Sequence, residues 1–502
     1  MIDITDRVRN KALRDRIVTA EEAAAFITPG MNVGASGFTP SGYPKAVPLA
    51  LAERMKKTPF KINLWTGASV GPELDGALAQ VNGIGFRMPY QTNKDIRNAI
   101  NRGDIDYCDL HLSESAQLAR YGYMHGNKID VAIIEACFID EQGHIFPTTS
   151  MGNSASYVKT ADVVIIEVNT TQPVELCGMH DVFVPEDPPY RQPLGVVAPD
   201  TRIGKPYIEC PLSKIKYIVP CDIPDHTRPL GAIDDDARAM SKHFVEFLKQ
   251  EVAEGRMPKN LLPLQSGVGN VANAVISGLK DSDFEHMTVY TEVIQDGMFD
   301  LFDAGKLDFA SGTSLSPSPE GQKRFYSNLD AYVPKLLLRP EEISNSPEVA
   351  RRIGVIAMNT AIECDIYGNV NSTRINGSRL MNGIGGSGDF ARGGALSVFF
   401  SVSTAKDGAL SSIVPMVSHV DHIPQDVDVI CTEQGLADLR GLSAKQRALE
   451  IIDKCVHPDY KPLLLDYFKR AVAATKNADT PHILEEALSW HVRAMKTGSM
   501  KK

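Results

Sequence analysis

The residue with the most chemical promise is Glu292, in the stretch MTVYTEVIQDGMFDL (Met287–Leu301). The pattern predicts a short strand, a carboxylate where the strand stops, a turn and then a helix. Two chemistries want an acid in that place. Upstream, LLPLQSGVGNVANAVISGL (Leu261–Leu279) runs from an apolar strand into Gly267-x-Gly269-x-x-Ala272 and a helix. That is the form of a dinucleotide fingerprint with alanine in third place, and an acid about twenty residues further on would hold a ribose. Read this way, the chain is a nicotinamide-dependent dehydrogenase.

The second reading makes Glu292 a nucleophile. A carboxylate attacks poorly in water, but held against an activated acyl group it can form a covalent intermediate. With a thioester, attack gives a mixed anhydride and a thiolate. The thiolate can then attack the glutamyl carbonyl and leave a glutamyl thioester, conserving the energy of the acyl bond. Each tetrahedral step needs an oxyanion hole, which backbone N–H groups in glycine-rich loops can supply. The chain has two such loops, Ser266–Asn270 (SGVGN) and Met381–Gly394 (MNGIGGSGDFARGG), the second carrying Gly383, Gly385, Gly386, Gly388 and Gly393. A dehydrogenase has no particular use for the second loop. An ordinary strand-end surface acid stays open on spacing alone.

The elements that must position these residues read as α/β. KINLWTG, VAIIEACF and ADVVIIEVN are short, β-branched and apolar, and they alternate with helical stretches such as YPKAVPLALAERMKK. Alternation of this kind predicts parallel sheets covered by helices. An internal echo organises them. Val131–Ser154 resembles Ile356–Ser378, each an apolar run followed by Asp-x-x-Gly and a Ser/Thr-rich segment, and Phe60–Leu78 parallels His286–Ala304. Two matched pairs in one order predict two homologous halves, 1–225 and 226–502, joined near the Pro- and Asp-rich stretch Cys221–Met240. The echo is unequal where it matters: Tyr290-Thr291-Glu292 is answered by Trp65-Thr66-Gly67, so the acid stands in one half only. After the join, Ala237, Met240, Phe244, Phe247, Leu248 and Val252 form an apolar helical stripe that belongs to a core. Near the end, Thr480 and Pro481 suit the N-cap and first position of a helix.

Bulk composition narrows the classes. A length of 502 residues with 43% hydrophobic content supports more than one core. The net charge of −10 disfavours non-specific binding to nucleic acid or to anionic membrane. The eight cysteines form no CxxC and no His/Cys cluster at zinc spacing, as expected of reduced thiols in a cytoplasmic protein. MIDITDRVRNKALRDRI lacks the apolar core of a signal peptide, and no run reaches the length of a membrane helix.

QSGVGNVANAV, VYTEVIQDGMFDLFDAGKL, NGIGGSGDFARGG and VICTEQGLADLRGLS, with SGFTPSGYPKAVPLAL, TGASVGPELDGALA and HIFPTTSMGNS in the first half, resemble the acetyl-CoA hydrolase/transferase family over nearly the whole chain. Within it the likeness is strongest to the branch that moves CoA from succinyl-CoA to acetate; the alternatives are an acyl-CoA hydrolase and a CoA-transferase with a different short-chain carboxylate pair. The resemblance implies two open α/β domains of CoA-transferase type with CoA between them, and a ping-pong exchange through a glutamyl-CoA thioester. It implies a homodimer, with acyl-CoA and a short-chain carboxylate as substrates and no metal or redox cofactor. By the same resemblance Glu292 is the nucleophile, and Val268 and Gly386 give the oxyanion-hole amides. Asn345 positions the acyl carboxylate, and Glu433 is a second carboxylate close to the nucleophile. Ser266, Gly267, Gly269, Asn270, Asn382 and Lys406 contact CoA. Each has a plainer rival: Val268 as core, Glu433 as a helix N-terminal acid, Asn345 as a cap, Lys406 as a solvated lysine. The roles of Ser69 and of the loop Ser36–Pro44 stay open.

Overall fold

The computed structural model describes residues 2–123, 128–267 and 269–501. The first half of the chain builds strands β1 (Asn32–Ala35), β2 (Ile62–Trp65), β3 (Ile84–Met88), β4 (Asp106–Tyr107), β5 (Val131–Ala136), β6 (Phe138–Ile139), β7 (Ile145–Phe146), β8 (Val163–Asn169) and β9 (Ile215–Cys221). Seven of them form a parallel sheet in the order β4-β3-β2-β1-β5-β8-β9. The second half builds β10 (Leu264–Ser266), β11 (Met287–Tyr290), β12 (Val293–Ile294), β13 (Leu307–Gly312), β14 (Ser314–Leu315), β15 (Leu336–Leu338), β16 (Ile356–Thr360), β17 (Glu363–Asp365) and β18 (Val370–Asn371). Its main sheet runs β15-β13-β11-β10-β16, continues with Leu396–Phe400 and Val429–Thr432, and closes on the antiparallel edge strand Gly435–Asp438. Apart from that edge strand the two orders are the same, strand for strand. The echo in the sequence is therefore a repeat of the fold, and the mixed α/β class with parallel sheets is observed.

The repeated Asp-x-x-Gly has a local physical cause. In the first half Gly143 N–H donates to the Asp140 carbonyl (3.2 Å), while Asp140 Oδ1 accepts from the N–H groups of Gln142 (3.0 Å) and His144 (2.8 Å). In the second, Gly368 N–H donates to the Asp365 carbonyl (3.1 Å), and Asp365 Oδ1 accepts from Tyr367 and Asn369 (both 3.0 Å). The glycines carry φ of +89° and +93°, a conformation that costs glycine nothing and other residues more. The aspartate binds the turn that reverses the chain between β6 and β7, and between β17 and β18.

β5 and β8 are buried over almost their whole length, as central parallel strands are, yet each carries a glutamate. Glu167 accepts from the N–H groups of Lys45, Ala46 (3.0 Å) and Val47 (2.9 Å), at the start of the helix Ala46–Lys57. Glu135 pairs with the wholly buried Lys45 ammonium at 2.5 Å, and Lys45 also reaches Asp225 at 3.0 Å. Each buried charge is thus matched by donors or by an opposite charge, without which its burial would be prohibitive.

The chain divides into two compact units. The first comprises Met1–Pro229, Val289–Phe299 and Asp308–Ile353; the second comprises Leu230–Thr288, Asp300–Leu307 and Gly354–Lys502. In the second, the helix Asp235–Ala253 buries Ala237, Met240, Phe244 and Leu248, while Phe247 and Val252 of the expected stripe are half-buried. One expectation fails: the helical segment after Thr480 begins at Leu484, not at Pro481. Tertiary bonds hold the intervening residues extended. The Tyr367 hydroxyl donates to the Pro481 carbonyl, His482 Nδ1 meets the Tyr467 hydroxyl at 2.9 Å, and Ile483 N–H donates to that same hydroxyl at 3.3 Å.

Candidate functional site

Glu292 stands at the end of β11, half-buried, between that strand and β12. Its backbone is fixed: the Glu292 carbonyl accepts from Thr313 N–H (2.8 Å) and Ser314 N–H (3.0 Å), and β12 then pairs with β14. Ser314 carries the tie further, its hydroxyl donating to the Phe38 carbonyl (2.7 Å) and lying 3.0 Å from the Thr39 hydroxyl. The loop Ser36–Pro44 is therefore part of the wall behind Glu292. It is pinned on its other side by Gly42 N–H donating to Asp225 (3.1 Å) and by the Ser150 hydroxyl donating to the Ser41 carbonyl (2.9 Å). Phe38, Ala68, Leu112 and Val293 form an apolar cluster with Tyr90 packed on it. Burial pushes the Tyr90 phenol well above its ordinary range and the negative charge of Glu292 adds to the shift, which places a neutral aromatic wall within the carboxylate's field. Ser69, nearby in sequence, has its polar capacity taken up inside the fold: its hydroxyl accepts from Asn93 N–H (3.1 Å) and reaches Gln91 Oε1 at 3.2 Å.

Asn345 lies in the same unit and is wholly buried, just after the short helix Glu341–Ser344. Carboxylates anchor that helix. Glu341 accepts from the Ser115 hydroxyl and the Asn153 amide, both at 2.5 Å. Glu342 accepts from Arg120 (2.7 and 2.9 Å) and from Arg191 (2.6 Å). Tyr290, two residues before Glu292, donates its hydroxyl to the Ile343 carbonyl at 2.5 Å and so ties the strand that leads into Glu292 to the helix before Asn345. Asn345 Oδ1 accepts from the Ser344 hydroxyl (2.8 Å), but its Nδ2 is buried without an acceptor among the described residues. Leaving an amide donor unmet costs ~1–3 kcal/mol, so it is a candidate partner for a bound carboxylate or acyl oxygen. Capping does not explain it, because Ser346 takes that role: its hydroxyl accepts from Val349 N–H at 3.4 Å.

The same neighbourhood explains why the acid occurs once. A Cβ at Gly67, the counterpart of Glu292, would lie 2.8 Å from Glu341 Oε2, 2.8 Å from the Gly37 carbonyl oxygen and 2.9 Å from Gly152 Cα. Two of these three are backbone atoms that cannot swing away. The first half has no room for any side chain there.

The remaining predicted residues lie in the second unit. Val268 is outside the described residues. Ser266 ends β10, its hydroxyl 3.3 Å from the Gly267 carbonyl, and Gly267 N–H donates to the Met358 carbonyl (3.3 Å). Gly269, at φ +110°, turns the chain into the helix Asn270–Lys280, with Asn270 exposed in its first turn. Gly386 is buried at the entry to the helix Ser387–Gly393 and, among the described residues, no group accepts from its N–H, as an oxyanion donor requires. Asn382 spends its amide on the Ser372 carbonyl (3.0 Å) and the Gly383 carbonyl (2.9 Å), which holds the glycine loop in shape. Lys406 is exposed in the turn between the short strands Thr404–Ala405 and Leu410–Ser411. The Glu433 carboxylate accepts from Ser403 N–H (2.8 Å) and from the Ser403 hydroxyl.

Sequence reading assigned no role to Tyr90, to the Glu341–Glu342 anchors or to Phe38, although Phe38 lies within the quoted loop Ser36–Pro44. It also missed Asn359, beside Ser266's partner strand residue Met358, whose buried Nδ2 has no acceptor among the described residues. Among the described residues no group of three or more His, Cys, Asp or Glu could hold a metal ion, and no helix is long and apolar enough to cross a membrane.

Two family models match the chain: the acetyl-CoA hydrolase/transferase N-terminal domain over residues 1–222 and the C-terminal domain of the same name over residues 321–468. A succinyl-CoA:acetate CoA-transferase of Clostridium kluyveri is 53% identical, over 99% of this chain and 92% of that one. An acetyl-CoA hydrolase of Schizosaccharomyces pombe is 45% identical over 99% and 98%. Among solved structures, RipA from Yersinia pestis superposes with a TM-score of 0.72 at 22% identity, covering 95% of this chain and 100% of that one. A 4-hydroxybutyrate CoA-transferase from Porphyromonas gingivalis gives 0.64 at 21%, covering 92% and 99%. At such identities these two speak for the fold alone.

Proposed function

Because the chain belongs to the acetyl-CoA hydrolase/transferase family, we propose that it is a CoA-transferase carrying CoA from succinyl-CoA to acetate through Glu292. The observation that carries this reading is the 53% identity, along almost the full chain, to the clostridial transferase. The chemistry runs in four balanced steps. The Glu292 carboxylate attacks the succinyl carbonyl, the C–S bond breaks, and a succinyl-glutamyl anhydride and CoA thiolate result. The thiolate attacks the glutamyl carbonyl and expels succinate, leaving a glutamyl-CoA thioester. Acetate attacks that thioester, releasing thiolate and forming an acetyl-glutamyl anhydride. The thiolate then takes the acetyl group and restores the carboxylate.

In this scheme the N–H groups of Gly386 and Val268 steady the tetrahedral oxyanions, and the unmet Asn345 amide orients the acyl carboxylate. Ser266, Gly267, Gly269, Asn270, Asn382 and Lys406 receive CoA, whose phosphates Lys406 meets with its exposed ammonium. Glu433, fixed by Ser403, supplies the second carboxylate. CoA and its acyl esters are substrates, and no metal or redox cofactor takes a step. The protein acts as a homodimer, which light scattering would check.

The similarity to fungal acetyl-CoA hydrolases supports a second reading, in which water resolves the glutamyl intermediate. The two part on one assay. A transferase turns over, releasing succinate beyond one equivalent per site and forming acetyl-CoA, only when acetate is present, whereas a hydrolase releases CoA thiol continuously from acyl-CoA alone. Acetate-independent thiol release at the full rate would overturn the transferase assignment.

A further inference from the structure

We propose that Cys137 and Cys177 form a dithiol that a peroxide oxidises to a disulfide, a modification site that takes no part in acyl transfer. The two residues are 40 apart in sequence, yet their sulfurs lie 3.9 Å from each other. A disulfide needs about 2.05 Å, so closure asks for a shift of roughly 2 Å, within reach of side-chain rotation.

The two thiols have different surroundings, and the difference assigns their roles. Cys137 follows β5 directly and is wholly buried. Its N–H donates to the Phe146 carbonyl (3.0 Å), and its sulfur lies 3.5 and 3.4 Å from the carbonyl oxygens of Phe146 and Pro147. Cys177 is half-buried and ends the short turn Val174–Leu176, between exposed Glu175 and exposed Gly178. A hydroperoxide can reach Cys177 and cannot reach Cys137. Beside them the Arg7 guanidinium donates to the carbonyls of Cys137 (3.0 Å) and Gln172 (2.7 Å), bringing a positive charge to the pair.

Electrostatics separates Cys177 from every other cysteine. The sulfur–sulfur hydrogen bond with Cys137 and, after it, the charge of Arg7 hold the Cys177 thiol below its ordinary value. The same hydrogen bond, together with burial, holds Cys137 above its own. Burial raises the other six thiols, Cys210 to about 11 and Cys455 to about 12. Thiolate character and access together choose the sulfur that reacts first.

The reaction balances with hydrogen peroxide as oxidant. The Cys177 thiolate attacks one peroxide oxygen; the S–O bond forms as the O–O bond breaks, and the departing hydroxide leaves as water after taking a proton. The resulting sulfenic acid is attacked by Cys137, which gives up its proton. The S–S bond forms, the S–O bond breaks and a second water departs. Two electrons have passed from the sulfurs to the peroxide.

The test uses the purified full-length chain, one equivalent of hydrogen peroxide, alkylation of the remaining thiols and peptide mapping without reduction. The expected result is a single linked species joining the Cys137 and Cys177 peptides, with two of the eight thiols lost and recovered on adding dithiothreitol. In Cys137→Ser, dimedone should label Cys177 as the trapped sulfenic acid; in Cys177→Ser the remaining thiols should survive the same dose. The proposal fails if wild type forms no 137–177 link while other cysteines are consumed, or if Cys177→Ser loses thiols as fast as wild type. Neither outcome depends on how the enzyme uses Glu292.

Discussion

Tyr290→Phe is the sharpest perturbation of the framework around Glu292. The ring is wholly buried in β11, two residues before Glu292, and its hydroxyl donates to the Ile343 carbonyl at 2.5 Å. Phenylalanine keeps the ring and removes only the bond between the Glu292 strand and the helix that ends at Asn345. Burial keeps this phenol protonated, so the bond is present at every working pH. Losing one hydrogen bond costs ~1 kcal/mol, and stranding a buried carbonyl adds up to ~3 kcal/mol. Here the second cost is largely avoided, because the Ile343 carbonyl keeps a bond from Ser346 N–H at 3.2 Å. The expected loss is therefore about 1 kcal/mol, a fall in Tm of ~2–4 °C on the scale of domains of 150–250 residues. If the tie positions the reacting groups, kcat should fall about tenfold with KM for acyl-CoA within twofold. Differential scanning fluorimetry and steady-state kinetics would check both. A variant that loses the stability but keeps kcat would show that the tie is purely structural, and the positioning argument would be wrong.

Other outcomes follow from single sites. Gly67→Ala should destabilise the protein by ~1–3 kcal/mol, because the new Cβ meets the backbone of Gly37 and Gly152; an unchanged urea midpoint would contradict the crowding. His180 is wholly buried, donates through Nε2 to the Thr148 carbonyl at 2.7 Å, and is pushed down to about 4, by burial first. Because the unfolded chain binds this proton more readily, His180 should cost stability as pH falls from about 6.5 to about 4, by an amount on the order of 3 kcal/mol, with the full stability present above 6.5. Urea midpoints across that window should flatten in His180→Gln, and an unaltered slope would remove His180 from the account. Lys406→Ala should raise KM for acyl-CoA several-fold and leave kcat alone, with the difference shrinking at high salt; a KM equal to wild type would mark Lys406 as a merely solvated lysine.

Much of the fold was legible because its signals are local. The Asp-x-x-Gly echo predicted paired units, and the structure shows the same aspartate-bound turn at Asp140–Gly143 and Asp365–Gly368 in two sheets of equal strand order. Glu292 was legible as a strand-end acid, and the comparison with Gly67 marked it as unique. What stayed hidden depends on contacts distant in sequence. Tyr90 and Phe38 meet Val293 only through the fold. Glu341 reads as an ordinary helix acid, yet it is buried against Ser115 and Asn153, more than 180 residues away. Pro481 reads as a helix start, but the bond from Tyr367 holds it outside the helix. The Cys137–Cys177 pair has no sequence signature at all.

The central claim is that the Glu292 side chain carries the acyl group as a mixed anhydride and then CoA as a thioester. Treating the enzyme with succinyl-CoA alone, reducing with borohydride and mapping peptides by mass tests it directly. The account predicts that the peptide containing Glu292 gains the mass change of a glutamyl thioester reduced to the alcohol, and that Glu292→Gln shows no such product. An unmodified Glu292 in enzyme that is still exchanging CoA between succinate and acetate would contradict it.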